Sequence, residues 1–272
     1  MPEKKKIKLA ILDMYDNFPN EGMRCIQNIV NHEDYSVQWD VFDVRAKNEV
    51  PSHHYDIFIS SGGPGSPYEG EGTEWEKKYF QLIDKIWAHN QKNNSNKKYV
   101  FGICYSFQLL SRYFQLGDVC KRKSTAFGVF PVHKTENAKN DKFFRNLPEP
   151  FYAVDSRDWQ VIDPNYEKML ALNAEILALE KKREHVPLPR AVMAMRIANE
   201  FYVTQFHPEA DAEGMLRYFA LPEKRNHIIS NHGDVKLAEM IYDLSDKDKV
   251  PLTQKELIPS FLRSSINLVG MN

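Results

Sequence analysis

Apolar residues in the first part of the chain fall into short continuous runs separated by amphipathic stretches. Ile7–Tyr15, "IKLAILDMY", has the length and composition of a short buried strand. In Glu21–His32 the apolar positions Met23, Ile26, Ile29 and Val30 follow a helical spacing. Ser36–Val44 alternates Val37, Trp39 and Val41 with polar neighbours before ending in Phe42 and Val44, which predicts a second strand. Tyr55–Ser60 predicts a third. Glu74–Asn90 predicts an amphipathic helix with Tyr79, Leu82, Ile83 and Ile86 on one face. After a polar loop over Asn93–Lys98, Tyr99–Ile103 reads as a fourth strand.

Strands and helices that alternate over short connections imply an α/β fold. The expectation is a doubly wound, mostly parallel sheet of flavodoxin-like type with helices on both faces. Such sheets place ligands beyond the C-terminal ends of their strands. Two unusual segments fall at such ends: Ser60–Pro67, "SSGGPGSP", and the junction after Ile103. Further on the strand signals shorten to "FGVFPV", "FYAVDS", "AVMAMRI" and "EFYVTQF". The intervening "NYEKMLALNAEILALEKKREH" fits a strand–helix pair with a charged surface loop at its end. The chain then turns helical through "EGMLRYFAL", "VKLAEMIYDLS" and "KELIPSFLRSSINLV". The expected organisation is one α/β domain over residues 1–220, with a helical extension over 221–272 packed on it.

Composition narrows the functional classes. Of 272 residues, 42% are hydrophobic and 27% charged, which suits a globular protein with a core. Lys and Arg number 36 against 37 Asp and Glu, so no nucleic-acid footprint is expected. The basic cluster Lys4–Lys6 with Lys8 reads as a solvated terminus. No apolar run approaches the roughly 18 residues of a membrane span, and "IKLAIL" is too short for the core of a signal peptide. Three cysteines at irregular spacing argue against a disulfide framework or a cysteine zinc site. The expectation is a cytoplasmic protein with reduced thiols and no membrane partner.

Cys104 sits where a strand gives way to a helix, after Gly102 and Ile103. A nucleophile on such a turn stands exposed at the top of the sheet, beside the N–H of the next residue, Tyr105. The start of the helix also favours a thiolate. Taken locally, a small buried thiol is the commoner outcome. A distant base changes that balance, and "TQFHPEAD" supplies one. His207 follows a strand that Pro208 ends, and Glu209 is a carboxylate close enough to orient the ring. His32, His53, His54, His89, His133, His185, His227 and His232 lie in polar or terminal contexts that suit solvated or structural roles. In "SSGGPGSP", adjacent glycines let backbone N–H groups approach a ligand, as in an oxyanion hole. No Gly-Lys-Ser/Thr follows, so the loop is not a phosphate-binding P-loop.

"SGGPGSP", "GICYSFQ" and "QFHPE", in that order, resemble the class I (triad) glutamine amidotransferases over roughly residues 7–219. The elbow is most like that of the amidotransferase part of GMP synthases. The resemblance implies Cys104 as nucleophile, His207 as general base and acid, and Glu209 as its orienting carboxylate. It implies an oxyanion hole from the N–H groups of Gly63 and Tyr105, and a glutamine pocket shaped by Gln108 and Gly62. It implies glutamine or another γ-glutamyl compound as substrate, with no metal or organic cofactor for this half of the reaction. Ammonia would pass to a separate synthetase subunit, since the last 50 or so residues are too few for a fused synthetase domain.

Two residues depart from the pattern near the chemistry. Ser106 stands where the family usually has glycine, and the expectation is a tolerable hydroxymethyl group beside the nucleophile that narrows the pocket. Arg157, in "AVDSRDWQVIDP", takes the place of a histidine in a Ser-His-x-Asp segment on the substrate side. Two other readings follow: a γ-glutamyl peptidase acting alone on the same chemistry, and a non-catalytic regulatory or binding module. The co-occurrence of Cys104, His207 and Glu209 argues against the latter, because packing requires none of them.

Overall fold

The computed structural model describes residues 6–32, 34–92, 95–185 and 187–271. The loop predicted at Asn93–Lys98 is therefore described only from residue 95, and Lys4 and Lys5 lie outside the described residues, as do the side chains of His227 and His232. The elements run β1 (Ile7–Asp13), α1 (Gly22–Val30), β2 (Val37–Asp43), α2 (Val44–Lys47), β3 (Ile57–Ser60), α3 (Glu74–Lys92), β4 (Tyr99–Ile103) and α4 (Tyr105–Phe114). Next come β5 (Asp118–Lys134), α5 (Glu136–Asn140), β6 (Phe151–Ile162), α6 (Tyr166–Ala171), β7 (Ala174–Glu180), β8 (Val192–Ile197) and β9 (Phe201–Thr204). Four helices finish the chain: α7 (Ala212–Ala220), α8 (Pro222–His232), α9 (Asp234–Ser245) and α10 (Val250–Gly270). None of these helices is long and apolar enough to cross a membrane.

The nine strands form one sheet in the order β2-β1-β3-β4-β9-β8-β7-β5-β6. Its first half is parallel, as the alternation of strands and helices predicts. The expectation of a mostly parallel sheet fails for the other half, where β9, β8, β7, β5 and β6 pair antiparallel. The reason lies in the connections. From β5 onward they are too short, or carry too short a helix, for the crossover that parallel neighbours require. The antiparallel half also curls. β6 is last in the order, yet Val154 bridges back to His207, just beyond β9.

Burial on both faces explains the unbroken apolar runs of β1, β3 and β4. Leu9, Ile11, Ile57, Ile59, Phe101 and Ile103 face α1 and α10, whereas Ala10, Leu12, Phe58 and Val100 face α3 and α4. Five buried apolar residues of α10, Leu257, Ile258, Phe261, Leu262 and Val269, belong to the first of these clusters. At about 1.5–3 kcal/mol per side chain, their gross burial is on the order of 10 kcal/mol. That is as large as the whole net stability of a typical domain. Helices α7–α9 pack instead against β5 and β6 through Phe219, Ile228, Leu237, Met240 and Leu244.

The ambiguous segment after Pro164 resolves as helix then strand, the reverse of the expected order: Asn165 caps α6 by accepting from Lys168 N–H, and β7 follows. β5 and β6 both run well beyond their apolar cores. The polar stretch "DVCKRKSTA" is the solvent-facing start of β5, with charged side chains on its outer positions.

Candidate active site

Cys104 occupies the single residue between β4 and α4, with φ 47° and ψ −97°. A non-glycine residue adopts such angles at a cost of order 1–3 kcal/mol, so the surroundings must hold it there. They do. Cys104 N–H donates to Thr204 O at 2.7 Å, and its carbonyl accepts from Gln108 N–H at 3.1 Å. Behind it, a Cβ on Gly102 would lie 3.1 Å from Leu110 and 3.2 Å from Val203, so the elbow is pressed tightly onto β9.

The curled sheet brings His207 to this sulfur. His207 N–H donates to Val154 O at 2.8 Å, fixing the backbone, and Nδ1 lies 2.7 Å from Glu209 Oε1, fixing the ring. Burial alone would lower the proton affinity of the imidazole. The Glu209 carboxylate and the Cys104 sulfur, which is also bonded to the ring, more than offset this and raise it well above the ordinary histidine value. A proton-bearing imidazole beside a sulfur is the partner a thiolate nucleophile needs. Glu209 is 1% exposed, and its second oxygen, Oε2, has no hydrogen-bond partner among the described residues.

Two glycines make room for this pair. A Cβ on Gly62 would lie 2.7 Å from His207 Cε1 and 3.3 Å from Tyr15 Oη. A Cβ on Gly22 would lie 2.2 Å from Tyr15 Oη and 3.3 Å from Glu209 Oε1. Gly62, expected on the substrate side, instead lies behind the imidazole and does not line the cavity; Gly63 and Gln108 do line it. Gly63 has its own constraint, since a Cβ there would meet Met14 O at 2.3 Å. Arg45 ties the loop down, donating through Nη1 to Met14 O and Pro64 O. Tyr105 is the first residue of α4, where a helix leaves N–H groups unpaired. Its own side chain turns away, donating to Ser66 O.

The departures from the family pattern have distinct outcomes. Ser106 is fully buried and does not line the cavity. Its hydroxyl lies 2.7 Å from Ser60 Oγ, donates to Ser61 O at 2.7 Å, and joins Tyr79 through Ser60. The extra group therefore fastens the elbow to the end of β3 and leaves the pocket uncrowded. Arg157 is bound to residues behind the wall: Asp155 Oδ2 at 2.9 Å, Met193 Sδ at 3.4 Å and Glu180 Oε1 at 3.8 Å. None of these three partners lines the cavity. Glu180 also meets Arg122 and Arg183, and the cluster of cations overcomes its burial and lowers its carboxyl pKa. Arg157 itself lines the cavity, as a residue on the substrate side would, and from there it braces β6 against β7 and β8.

The cavity above Cys104 holds about 370 Å³. Its outer wall carries Phe18, Phe127, Trp159, Met215 and Tyr218, together with Cys25 from α1. His32, His53, His54, His89, His133 and His185 do not line it. Sequence reasoning missed Tyr15 and Gln205. Tyr15 follows β1 at the C-terminal edge of the sheet, a position that could have marked it. Burial, with Glu209, Cys104 and Cys25 adding to it, pushes the Tyr15 phenol well up, so it stays neutral.

With this geometry in view, the comparisons are specific. The profile of the family "Glutamine amidotransferase class-I" matches residues 10–218. The chain belongs to the class I glutamine amidotransferases. Within that family it has distant GMP synthase relatives. The glutamine-hydrolysing GMP synthase of Ehrlichia ruminantium (strain Gardel) is 25% identical over 213 residues, covering 74% of this chain and 33% of that protein. The chain thus spans about a third of that relative's length. Two solved structures share the fold. A glutamine amidotransferase from Thermotoga maritima superposes with a TM-score of 0.70 at 20% identity, covering 96% of this chain and 98% of the other. Another from Methylobacillus flagellatus gives 0.66 at 14% identity, covering 97% and 94%.

Proposed function

We propose that this protein hydrolyses the side-chain amide of glutamine through a γ-glutamyl thioester on Cys104. The observation that carries the reading is the convergence of Cys104, His207 and Glu209 at one end of the sheet, with the imidazole bonded on both sides. The Cys104 thiolate attacks the amide carbon, and the N–H groups of Gly63 and Tyr105 receive the negative oxygen. As the tetrahedral adduct collapses, the C–N bond breaks and His207 gives its proton to the departing ammonia. Water then attacks the thioester, His207 takes its proton, and glutamate leaves as the sulfur recovers its electron pair. Glu209 holds the imidazole in the required orientation throughout. Gln108 borders the glutamine side chain, and Gly62 serves the base by leaving space for its ring. No cofactor enters these steps.

The ammonia passes to a separate synthetase subunit of GMP synthase type. The packing of α10 into the core of the same sheet supports a C-terminal segment that belongs to the amidotransferase domain and not to a synthetase. On that packing, residues 1–220 and 221–272 act as one domain with a helical extension. A second reading draws on the cavity wall. The apolar side chains beyond Cys104 suit a γ-glutamyl conjugate larger than glutamine, which a peptidase would cleave unaided. Ammonia and amine release from glutamine and a panel of γ-glutamyl amides, with and without candidate synthetases, separates the two. Stimulation of glutamine hydrolysis by a partner supports the first, and full activity alone on a conjugate supports the second. No turnover of any γ-glutamyl compound would refute both.

A further inference from the structure

One side-chain amide behind the sulfur, that of Gln205, has no part in the steps above, and it is met there by Gln108 from the cavity wall. Gln205 is wholly buried between β9 and His207, on a backbone held by its N–H bond to Met193 O at 2.8 Å. Its Nε2 lies 3.6 Å from Cys104 Sγ. Its Oε1 accepts from Gln108 Nε2 at 3.2 Å. Gln108 Nε2 also donates to Trp159 O at 3.4 Å. A backbone carbonyl can only accept, so the nitrogen end of Gln108 is fixed first, and it in turn fixes Gln205 with oxygen toward Gln108 and N–H toward sulfur. On its other side the thiol donates to Ser156 O at 3.8 Å. Gln205 does not line the cavity, so its N–H approaches the sulfur from the protein side, away from any substrate.

We propose that Gln205 is a catalytic residue whose side-chain N–H stabilises negative charge on Cys104 Sγ, and that Gln108 is the positioning residue that aims it. That charge exists twice in a turnover. It is present on the thiolate before attack. It returns when water's oxygen bonds to the thioester carbon, the C–S bond breaks and the electron pair goes back to sulfur. A donor fixed in advance needs no reorganisation at either moment. The role in turnover rests on the function proposed above, but the bond to sulfur does not. Among the described residues the ionisable groups that interact with the sulfur include His207 and Tyr15, which in turn meet Glu209 and Cys25, and the test leaves all four in place.

The test is the rate of Cys104 alkylation by iodoacetamide, read by mass spectrometry, which requires no γ-glutamyl substrate. Gln205→Met removes the donor at similar volume. Gln205→Glu keeps an oxygen for Gln108 but loses the amide N–H. At about pH 6.5 both variants should react about tenfold more slowly than wild type, the scale of one hydrogen bond to a charged group. At about pH 9.5, above the roughly 8.5 of a free cysteine, the rates should converge to within about twofold. Gln108→Met should show the same pattern at about threefold. A variant with native-like thermal unfolding and wild-type alkylation at the lower pH would overturn the proposal, as would equal slowing at both. Wild type supplies an independent readout: the Gln205 side-chain amide resonance in an NMR spectrum should move when Cys104 is alkylated, and a resonance that stays put refutes the bond. Should alkylation behave as expected while no γ-glutamyl compound is turned over, the proposed function fails and this assignment stands.

Discussion

Two cysteines line the same cavity, and their surroundings oppose each other. Cys104 is strained onto a turn, receives an N–H from Gln205, and has a protonated imidazole beside it. Cys25 sits within α1 in relaxed helical backbone, with its sulfur 3.4 Å from Asp211 Oδ2. Burial raises the Cys25 pKa to about 12, with the Asp211 and Glu209 charges adding to the effect and the hydrogen bond at Asp211 and the Arg24 charge only partly opposing it. On the proposed function, the same side chain in the same cavity attacks at one place and is kept as a thiol at the other. Both are buried and both line the cavity, but Cys104 has the His207 imidazole at its sulfur, whereas Cys25 has the Asp211 carboxylate, whose charge the neighbouring Arg24 guanidinium shares.

The largest test of that contrast is Cys104→Ala. Loss of a covalent nucleophile should cut γ-glutamyl hydrolysis by at least about 10⁴-fold in an ammonia-release assay. Activity within tenfold of wild type would move the chemistry elsewhere, Cys25 first. His207→Ala should cost about 10²–10⁴-fold, the range of a general acid–base group. Unchanged steady-state hydrolysis would remove it from that role. Gly62→Ala forces the imidazole aside, and a displacement of about 1 Å can cost on the order of 10²-fold with the fold intact. Circular dichroism alongside kinetics would separate this from unfolding. A diazo-ketone glutamine analogue should label Cys104 and leave Cys25 unmodified up to at least about pH 9, because Cys25 keeps its proton there. A peptide map with the adduct on Cys25 would erase the distinction. Ser106→Gly should change activity least, by less than about threefold. It should still lower stability by about 2–3 kcal/mol in urea unfolding, from two lost buried hydrogen bonds and a glycine in a helix. A large kinetic effect with unchanged stability would place Ser106 in the pocket after all.

The parallel half of the fold was legible because its strands are buried on both faces and its helices carry one apolar stripe. "YDIFIS" and "YVFGI" became β3 and β4 nearly to the residue. The antiparallel half was legible only at its apolar centres. Lys121, Arg122 and Lys123 give no strand signal, since they are charged: Lys121 pairs with Trp159, and Arg122, in the irregular stretch before Ala126, reaches Gln160 and Glu180 through its side chain. The candidate site divides in the same way. Cys104, His207 and Glu209 announced themselves as chemistry in a recognisable order. Gln205 lies inside one of the quoted segments yet suggested no role, because its role depends on which end of an amide faces a sulfur 101 positions away. Gly22 was silent for a related reason: what requires a glycine there is a phenol arriving from another strand.

The sheet order also sets a timetable for the reactive thiol. β4 leads directly into Cys104, and one of its two neighbours, β9, is made about a hundred residues later. At the usual 5–20 residues per second of synthesis, that is a delay of roughly 5–20 s. Until β9 emerges, Thr204 O is absent to hold the elbow, and neither His207 nor Gln205 exists to meet the sulfur. A ribosome-bound chain ending before β9 should therefore carry Cys104 as an ordinary cysteine, and alkylation of stalled chains on either side of residue 210 would show the change. On the proposed function the nucleophile is written early and armed late, and its reactivity should appear only once both halves of the sheet are present to contain it.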